Sequence, residues 1–393
     1  MSKKYTAEQA LSVFRSVYAD READARARKE RGQKIVGYFS SNVPAELITA
    51  AGLFPVQLSG DARIPTDVGD EYMEYFHDGN IRSIFDRTLR GHFNFVDLLV
   101  IPRTSEGFLQ LYYYLLEIKR LEPTRDFPDI YLFDLLHTPF WGTGRYNRGR
   151  LQDLRLKIEV TAGHVIDDQS VQMAIRSANE SRRLLSRVQE LRHSVPARLS
   201  GSDALAVIGS ASSSDGAVHR ELMEALLNGA NELRRQAGPR VMVKGSTLDD
   251  SSFYKIVESC GGVVVASDHP WGDCAGKQTV REEGDVMEAL TEYYHLYSES
   301  IRQYPQSRQD SKWRSDIGEA GVDGVIFYLD EWDDTLGWDY PDQRRALEGL
   351  DIPSLLLKHQ PYHRPDTEGQ TNAVRQFLAG IPLRQEAAAE ASK

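Results

Sequence analysis

Ile35-Val-Gly-Tyr-Phe-Ser-Ser-Asn-Val-Pro-Ala-Glu-Leu-Ile-Thr-Ala-Ala-Gly-Leu-Phe-Pro-Val-Gln-Leu58 is the stretch that decides the fold. Ile35 to Phe39 is a short apolar run, the pattern of a buried strand. Ser40 to Asn42 break that run, and Pro44 stands where the first turn of a helix tolerates a residue without an N–H. The helix that follows stops at Gly52, a common C-terminal cap, and a second apolar run begins. A strand, a polar turn and a helix in that order bring Ser40, Ser41 and Glu46 together as a candidate site.

The same alternation continues on both sides. Val96–Ile101 and Ile130–Phe133 are apolar enough for buried strands, and Ile81–Leu89 and Phe108–Leu121 have helical periodicity. Beyond residue 203, Ala204–Ile208, Arg240–Val243, Gly262–Ala266, Gly324–Tyr328 and Ser354–Leu357 are predicted strands separated by helical stretches. Strands that alternate with helices form parallel sheets covered on both faces, and ligands collect at the carboxyl ends of those strands. The expected fold is therefore α/β, with two doubly wound parallel-sheet, Rossmann-like lobes facing a central cleft. Residues 1–32 form an N-terminal helical arm, read as one exposed, heavily charged helix over 7–32. The first lobe is placed at 33–150, a helical connector at 151–202, the second lobe at 203–384 and a flexible tail at 385–393.

The chain has 393 residues, 41% hydrophobic and 27% charged, which is ample for two cores. Its 47 basic and 58 acidic side chains give a net charge of −11, which argues against a nucleic-acid or anionic-membrane partner. A local basic patch for a phosphorylated ligand remains compatible with that balance. No run approaches the ~18 apolar residues of a membrane span, and the N-terminus has no signal-peptide apolar region, so a cytoplasmic protein is expected. Cys260 and Cys274 are the only cysteines. Two thiols cannot supply a site that needs three or four, and both are read as ordinary free thiols.

If the sheets are parallel, the functional candidates are the residues after each strand. In the first lobe these are Ser40 and Ser41, Arg103-Thr-Ser-Glu106, and Asp134 with His137. In the second they are Ser210–Gly216, Lys244-Gly-Ser246, Ser267-Asp-His-Pro-Trp-Gly272, Asp330-Glu-Trp-Asp333 and Lys358-His-Gln360. Each has a plain structural alternative. Ser40 and Ser41 suit helix caps, and Glu46 in a first turn complements the helix dipole. His269 beside Asp268 is either an oriented base or a satisfied structural histidine. Trp271 and Trp332 are either a hydrophobic plug or ordinary core aromatics. Lys244-Gly-Ser246 and Ser210–Gly216 are weak phosphate-cradle candidates, since neither has a nucleotide-binding fingerprint.

Four of these segments carry a resemblance. The opening stretch resembles the first motif of the 2-hydroxyacyl-CoA dehydratase and benzoyl-CoA reductase family, in the subunits that hold an iron–sulfur cluster. Ser40 stands at its cysteine and Ala45 at its first acidic position. Ile101-Pro-Arg-Thr-Ser-Glu106 is similar to the second motif, with Ser105 at the cysteine. Ala266-Ser-Asp-His-Pro-Trp-Gly272 is similar to the third, with Pro270 at the cysteine. Val322-Asp-Gly-Val-Ile-Phe-Tyr328 followed by Glu331-Trp-Asp333 resembles the C-terminal motif, with Trp332 at the cysteine. The match runs from about 30 to 380.

The resemblance implies a CoA thioester ligand, a homologous cluster-bearing subunit as partner, and an ATP-dependent activator that supplies the electron. It also implies that Ser40, Ser105, Pro270 and Trp332 mark a former cluster site. Hydroxyls, an imino acid and an indole are poor or absent ligands for iron, so no cofactor is expected on this chain alone and a [4Fe–4S] cluster is expected in the partner. Glu46, Glu106, His269 and Asp333 are the polar candidates for catalysis beside it. The implied function is that of a cluster-lacking subunit that helps to form the acyl-CoA site. The alternatives are a repurposed cluster-free enzyme, with Glu46, Glu106, Asp268, His269 and Glu331 as acid–base pairs or an oxygen/nitrogen metal site, and a non-catalytic acyl-CoA-binding scaffold.

Overall fold

Among the described residues eight strands form two four-stranded parallel sheets, with helices on both faces of each. The computed structural model describes residues 5–273, 277–297 and 304–381. Cys274 and the tail expected at 385–393 lie outside the described residues. The first sheet contains β1 (Ile35–Tyr38), β2 (Phe54–Gln57), β3 (Leu98–Pro102) and β4 (Asp129–Phe133), in the order β2-β1-β3-β4. The second contains β5 (Arg240–Gly245), β6 (Val263–Asp268), β7 (Gly324–Asp330) and β8 (Ser354–Gln360), in the order β6-β5-β7-β8. Every pairing is parallel.

Alternation along the strands explains the double covering. Leu98 and Val100 of β3 face one apolar core with Leu47, Leu151 and Ile175, while Leu99 and Ile101 face a second core with Ile84, Phe85 and Leu111. In the second sheet Val241 and Val243 of β5 face one side, and Met242 faces the other with Phe327 and Trp313. Strands buried on both faces read as continuous apolar runs, which is why these were visible in the sequence.

Two expectations need correction, the strand at 204–208 and the arm as one exposed helix. Ala204–Ile208 is not a strand; it belongs to the helix Gly201–Ser210, capped by Ser200, whose side chain accepts from the Asp203 N–H. Ser210–Gly216 therefore follows a helix and not a strand. The connector is two helices, Trp141–Ala162 and Asp168–His193, and the first of them ends at Gly163 with φ +87°. The arm is also two helices, Ala7–Ala19 and Ala23–Glu30, and the first buries one face. Ala10, Leu11 and Phe14 are buried in the same core as Leu205 and Leu222, and Arg28 lies 4.3 Å over the Phe54 ring of the first lobe.

The helix Asp168–His193 ties the lobes together through two arginines. Arg182 donates to Glu46 of the first lobe at 2.6 Å, and Arg192 to Asp273 of the second at 2.5 Å. No helix among the described residues is long and apolar enough to cross a membrane.

Candidate functional site

In both sheets the strand order reverses once, between β1 and β3 and between β5 and β7. The crevice beyond the carboxyl ends of those strands is the usual ligand site of such folds. Here the two crevices face each other and merge into one cleft. Ser40, Ser41, Thr104 and Ser105 line it from the first lobe, and Lys244, Gly245, Ser246, Asp330 and Asp333 from the second. Asp78, Lys312, Asp339 and the segment Asp268-His-Pro-Trp271 complete the polar wall, with Ile81, Ile84, Phe108 and Leu336 on the apolar side.

Ser40 has φ +60°, a left-handed backbone uncommon for a residue with a Cβ, and its hydroxyl donates to Asn42 Oδ1 at 3.1 Å. Ser105 caps the helix Glu106–Leu121 by accepting from the Phe108 N–H at 3.3 Å. At the end of β5 the chain crosses β7 so closely that a Cβ on Gly245 would lie 2.0 Å from the Tyr328 carbonyl oxygen, which explains this glycine. Ser246 then donates to Asp333 Oδ2 at 2.6 Å and accepts from the Asp330 N–H at 2.9 Å. These contacts commit Lys244-Gly-Ser246 to joining two strand ends.

The second lobe supplies the charge. Lys244 is buried and paired with Asp268. Burial raises the Asp268 pKa, but Lys244 and Lys312 outweigh it and hold the carboxyl well below the usual range. On the other side of the cleft, burial and the neighbouring Asp330, Asp333 and Asp334 push Asp78 up to about 7. Burial, with Asp333 and Glu331 adding to it, likewise raises Asp330 to about 6. The second-lobe wall thus carries the lysine–aspartate pair together with Asp330, and Asp78 faces it from the first lobe.

The residues predicted from sequence divide into two groups. Ser40, Ser105, Pro270, His269 and Asp333 line the cleft. Glu46, Glu106 and Trp332 are not among its lining residues. Glu46 is buried between Arg182 and the Tyr294 hydroxyl, which donates to it at 2.8 Å, so it is placed as an anchor. Glu106 is exposed at the start of its helix. Trp332 meets Tyr75 edge to face, ring centroids 5.6 Å apart, and does not join Trp271 in a plug.

His269 is committed as well. Its Nδ1 faces the Trp271 N–H at 3.3 Å, which assigns the proton to Nε2 and makes it the donor to the Tyr254 hydroxyl at 2.7 Å. Burial lowers its pKa to about 4, so it is neutral near pH 7. Asp134 and His137 are held by Arg103 outside the cleft. Among the described residues no three His, Cys, Asp or Glu side chains gather as a metal site, so the structure does not bring together the acidic and histidine set considered for one.

Sequence reasoning missed Asp78, Asn80 and Lys312, which line the cleft from helices and loops distant in the chain. Asp78 is the N-cap residue of the helix Gly79–Leu89, but its side chain makes no capping hydrogen bond. An Asp before an apolar-periodic run was the available signal, and it reads as an ordinary cap.

The fold and the cleft define a two-lobed α/β protein with a cavity between facing strand ends. The chain belongs to the family of the 2-hydroxyglutaryl-CoA dehydratase D-component, whose model matches residues 40–378. It is similar to a candidate dehydratase subunit, YjiM, of Escherichia coli (strain K12), at 27% identity over 76% of this chain and 78% of that one. A benzoyl-CoA reductase subunit of Thauera aromatica is 23% identical over 90% of this chain and 91% of its own. The (R)-phenyllactyl-CoA dehydratase beta subunit of Clostridium sporogenes is 21% identical over 84% and 87%.

Proposed function

We propose that this chain is the cluster-lacking subunit of a heteromeric 2-hydroxyacyl-CoA dehydratase-like or benzoyl-CoA reductase-like enzyme, and that its cleft contributes to the acyl-CoA site. The observation that carries this reading is the donor set of the cleft. A cluster needs thiolates, and among the described residues the lining of this cavity offers the Ser40 and Ser105 hydroxyls, Pro270 and no cysteine. Cys260 is remote from it, near the Thr371 carbonyl at 3.6 Å. These residues do not fit an iron–sulfur cluster, which is assigned to a homologous partner subunit. Four relatives named as subunits support the heteromeric arrangement.

The test is reconstitution. The purified chain is assayed with 2-hydroxyacyl-CoA and benzoyl-CoA substrates alone, then with a homologous cluster-bearing subunit and an ATP-dependent reductant. Turnover only on mixing is the expected result, and turnover by the isolated chain overturns the reading. That outcome would favour a second reading, a cluster-free enzyme that moves protons in its own cleft. The Lys244–Asp268 pair and the raised Asp78 and Asp330 are what support it.

A further inference from the structure

A second, larger and more polar cavity lies where the arm meets both lobes, and it shares one wall residue, Ser59, with the cleft. Arg21 of the arm lines this second cavity beside Ser59. Its Nη2 donates to Ser59 Oγ of the first lobe at 2.5 Å and its Nη1 to the Asp249 carbonyl of the second at 2.5 Å. Its guanidinium lies 4.4 Å over the ring of Trp271, which lines the cleft from the other side.

The other arginines of this cavity are matched by carboxylates. Arg15 pairs with Asp203 at 2.6 Å, Arg26 with Asp20 at 2.7 Å, Arg63 with Asp61 at 2.7 Å and Arg87 with Glu22 at 2.9 Å. The Asp249 carboxyl accepts from Tyr362 at 2.8 Å and Asn80 at 3.1 Å. Among the described residues Arg21 makes no direct ion pair, although its charge acts on the nearby Asp249 carboxyl. Its acceptors are a hydroxyl and a carbonyl, with two aromatic faces beside it. Exchanging such neutral acceptors for phosphate oxygens converts ordinary hydrogen bonds into charge-assisted ones. Lys255, exposed on the rim of the same cavity, is a second cation with no ion-pair partner among the described residues.

We propose that the arm-side cavity receives the phosphate-bearing tail of the thioester whose acyl end lies in the cleft, with Arg21 as the anion receptor at the junction. The inference rests on the acyl-CoA reading above and deepens it. It gives the arm a role, since Arg21 joins the two cavities only because the arm is seated on both lobes.

The experiment compares benzoyl-CoA with benzoyl-pantetheine, which keeps the acyl end and lacks the phosphates, by calorimetric titration of the full chain. The unaltered chain is expected to bind benzoyl-CoA more tightly, with an affinity that falls as salt rises. Arg21→Gln should weaken benzoyl-CoA roughly 10- to 100-fold and leave benzoyl-pantetheine unchanged. Lys255→Glu, on the exposed rim, should lower benzoyl-CoA affinity severalfold, and it carries the test if Arg21→Gln does not fold. If the variants that fold bind benzoyl-CoA as the unaltered chain does, the anion receptor is wrong and the acyl-CoA reading stands. If the unaltered chain binds neither thioester, alone or together with the homologous cluster-bearing subunit, the acyl-CoA reading falls and takes this proposal with it.

Discussion

In the first lobe the point where strand order reverses ends in hydroxyls, Ser40 after β1 and Thr104 and Ser105 after β3. In the second lobe the matching point ends in Lys244, the last residue but one of β5, in Asp330 as the last residue of β7 and in Asp333 just beyond it. The strand order is the same in both sheets, so topology chose the location of the site twice over and left its chemistry to the residues. One wall is nearly neutral except at Asp78, and the other is charged. A ligand held between them meets hydrogen-bond donors without formal charge on one side and a fixed field on the other.

The two anchors on the helix Asp168–His193 sharpen this contrast most strongly. Arg192 is 1% exposed, and besides Asp273 it donates to the Val264 carbonyl, so its removal leaves Asp273 buried without its cation. Arg192→Leu is expected to cost about 3–5 kcal/mol in urea unfolding, because an unpaired buried carboxylate remains. A loss under about 1 kcal/mol would mean that the second lobe is not held this way. The first-lobe anchor is more open, since the Arg182 side chain is 14% exposed and can be partly solvated when Glu46 is gone. Glu46→Ala should therefore cost less, about 2–3 kcal/mol, and should leave cleft-ligand affinity nearly unchanged. A large affinity loss in a folded variant would return Glu46 to the site.

Asp78 gives a prediction with a pH signature. An unfolded aspartate titrates near ~3.9, whereas folded Asp78 does so at about 7. Below the unfolded value both states carry the proton and the shift has no effect. Between the two values only the folded chain holds it, so stability falls as pH rises and levels off above the folded value. Asp78→Asn cannot titrate, so it should match the unaltered chain near pH 4 and exceed it by about 1–3 kcal/mol at pH 8. Asp330 titrates in the same window and faces Asp78, so a double Asn variant should gain less than the sum. A pH-independent difference would show that the charged wall does not reach across the cleft.

How far the sequence revealed this molecule depended on the range of the interactions. Strands such as Leu98–Pro102 and Gly324–Asp330 are buried on both faces and stand out as apolar runs. Ala204–Ile208 has the same look and is helical, because a helix packed on every side also loses its polar stripe. Its signal was Ser200 with Asp203 in the first turn, a local cap that outranks the apolar run. In the arm, Ala7, Ala10, Leu11, Phe14 and Tyr18 already mark one helical face, but the charges around them suggested an exposed helix. The site was legible where it sits at strand ends, as at Ser40, Ser105 and Asp333. It was hidden where burial comes from distant partners. Nothing near residue 46 indicates that residues 182 and 294 will enclose Glu46, and nothing near residue 78 announces the carboxylates of residues 330–334.

The smallest expected effect concerns the residue at the centre of the opening stretch. Ser40 holds φ +60°, and for a residue with a Cβ that conformation costs ~1–2 kcal/mol, while glycine there loses ~0.5–1 kcal/mol more chain entropy on folding. Ser40→Gly should therefore stabilise the chain by about 0.5 kcal/mol. Ser40→Ala keeps the strained backbone and removes only the hydroxyl bonded to Asn42. If the first lobe contributes shape and neutral donors while the partner supplies the electron, Ser40→Ala should change turnover of the reconstituted enzyme less than about threefold, under ~0.7 kcal/mol in the barrier. A tenfold loss without unfolding would make the Ser40 hydroxyl a reacting group. The neutral wall would then be as chemically active as the charged one, and the contrast between the lobes would be one of charge alone.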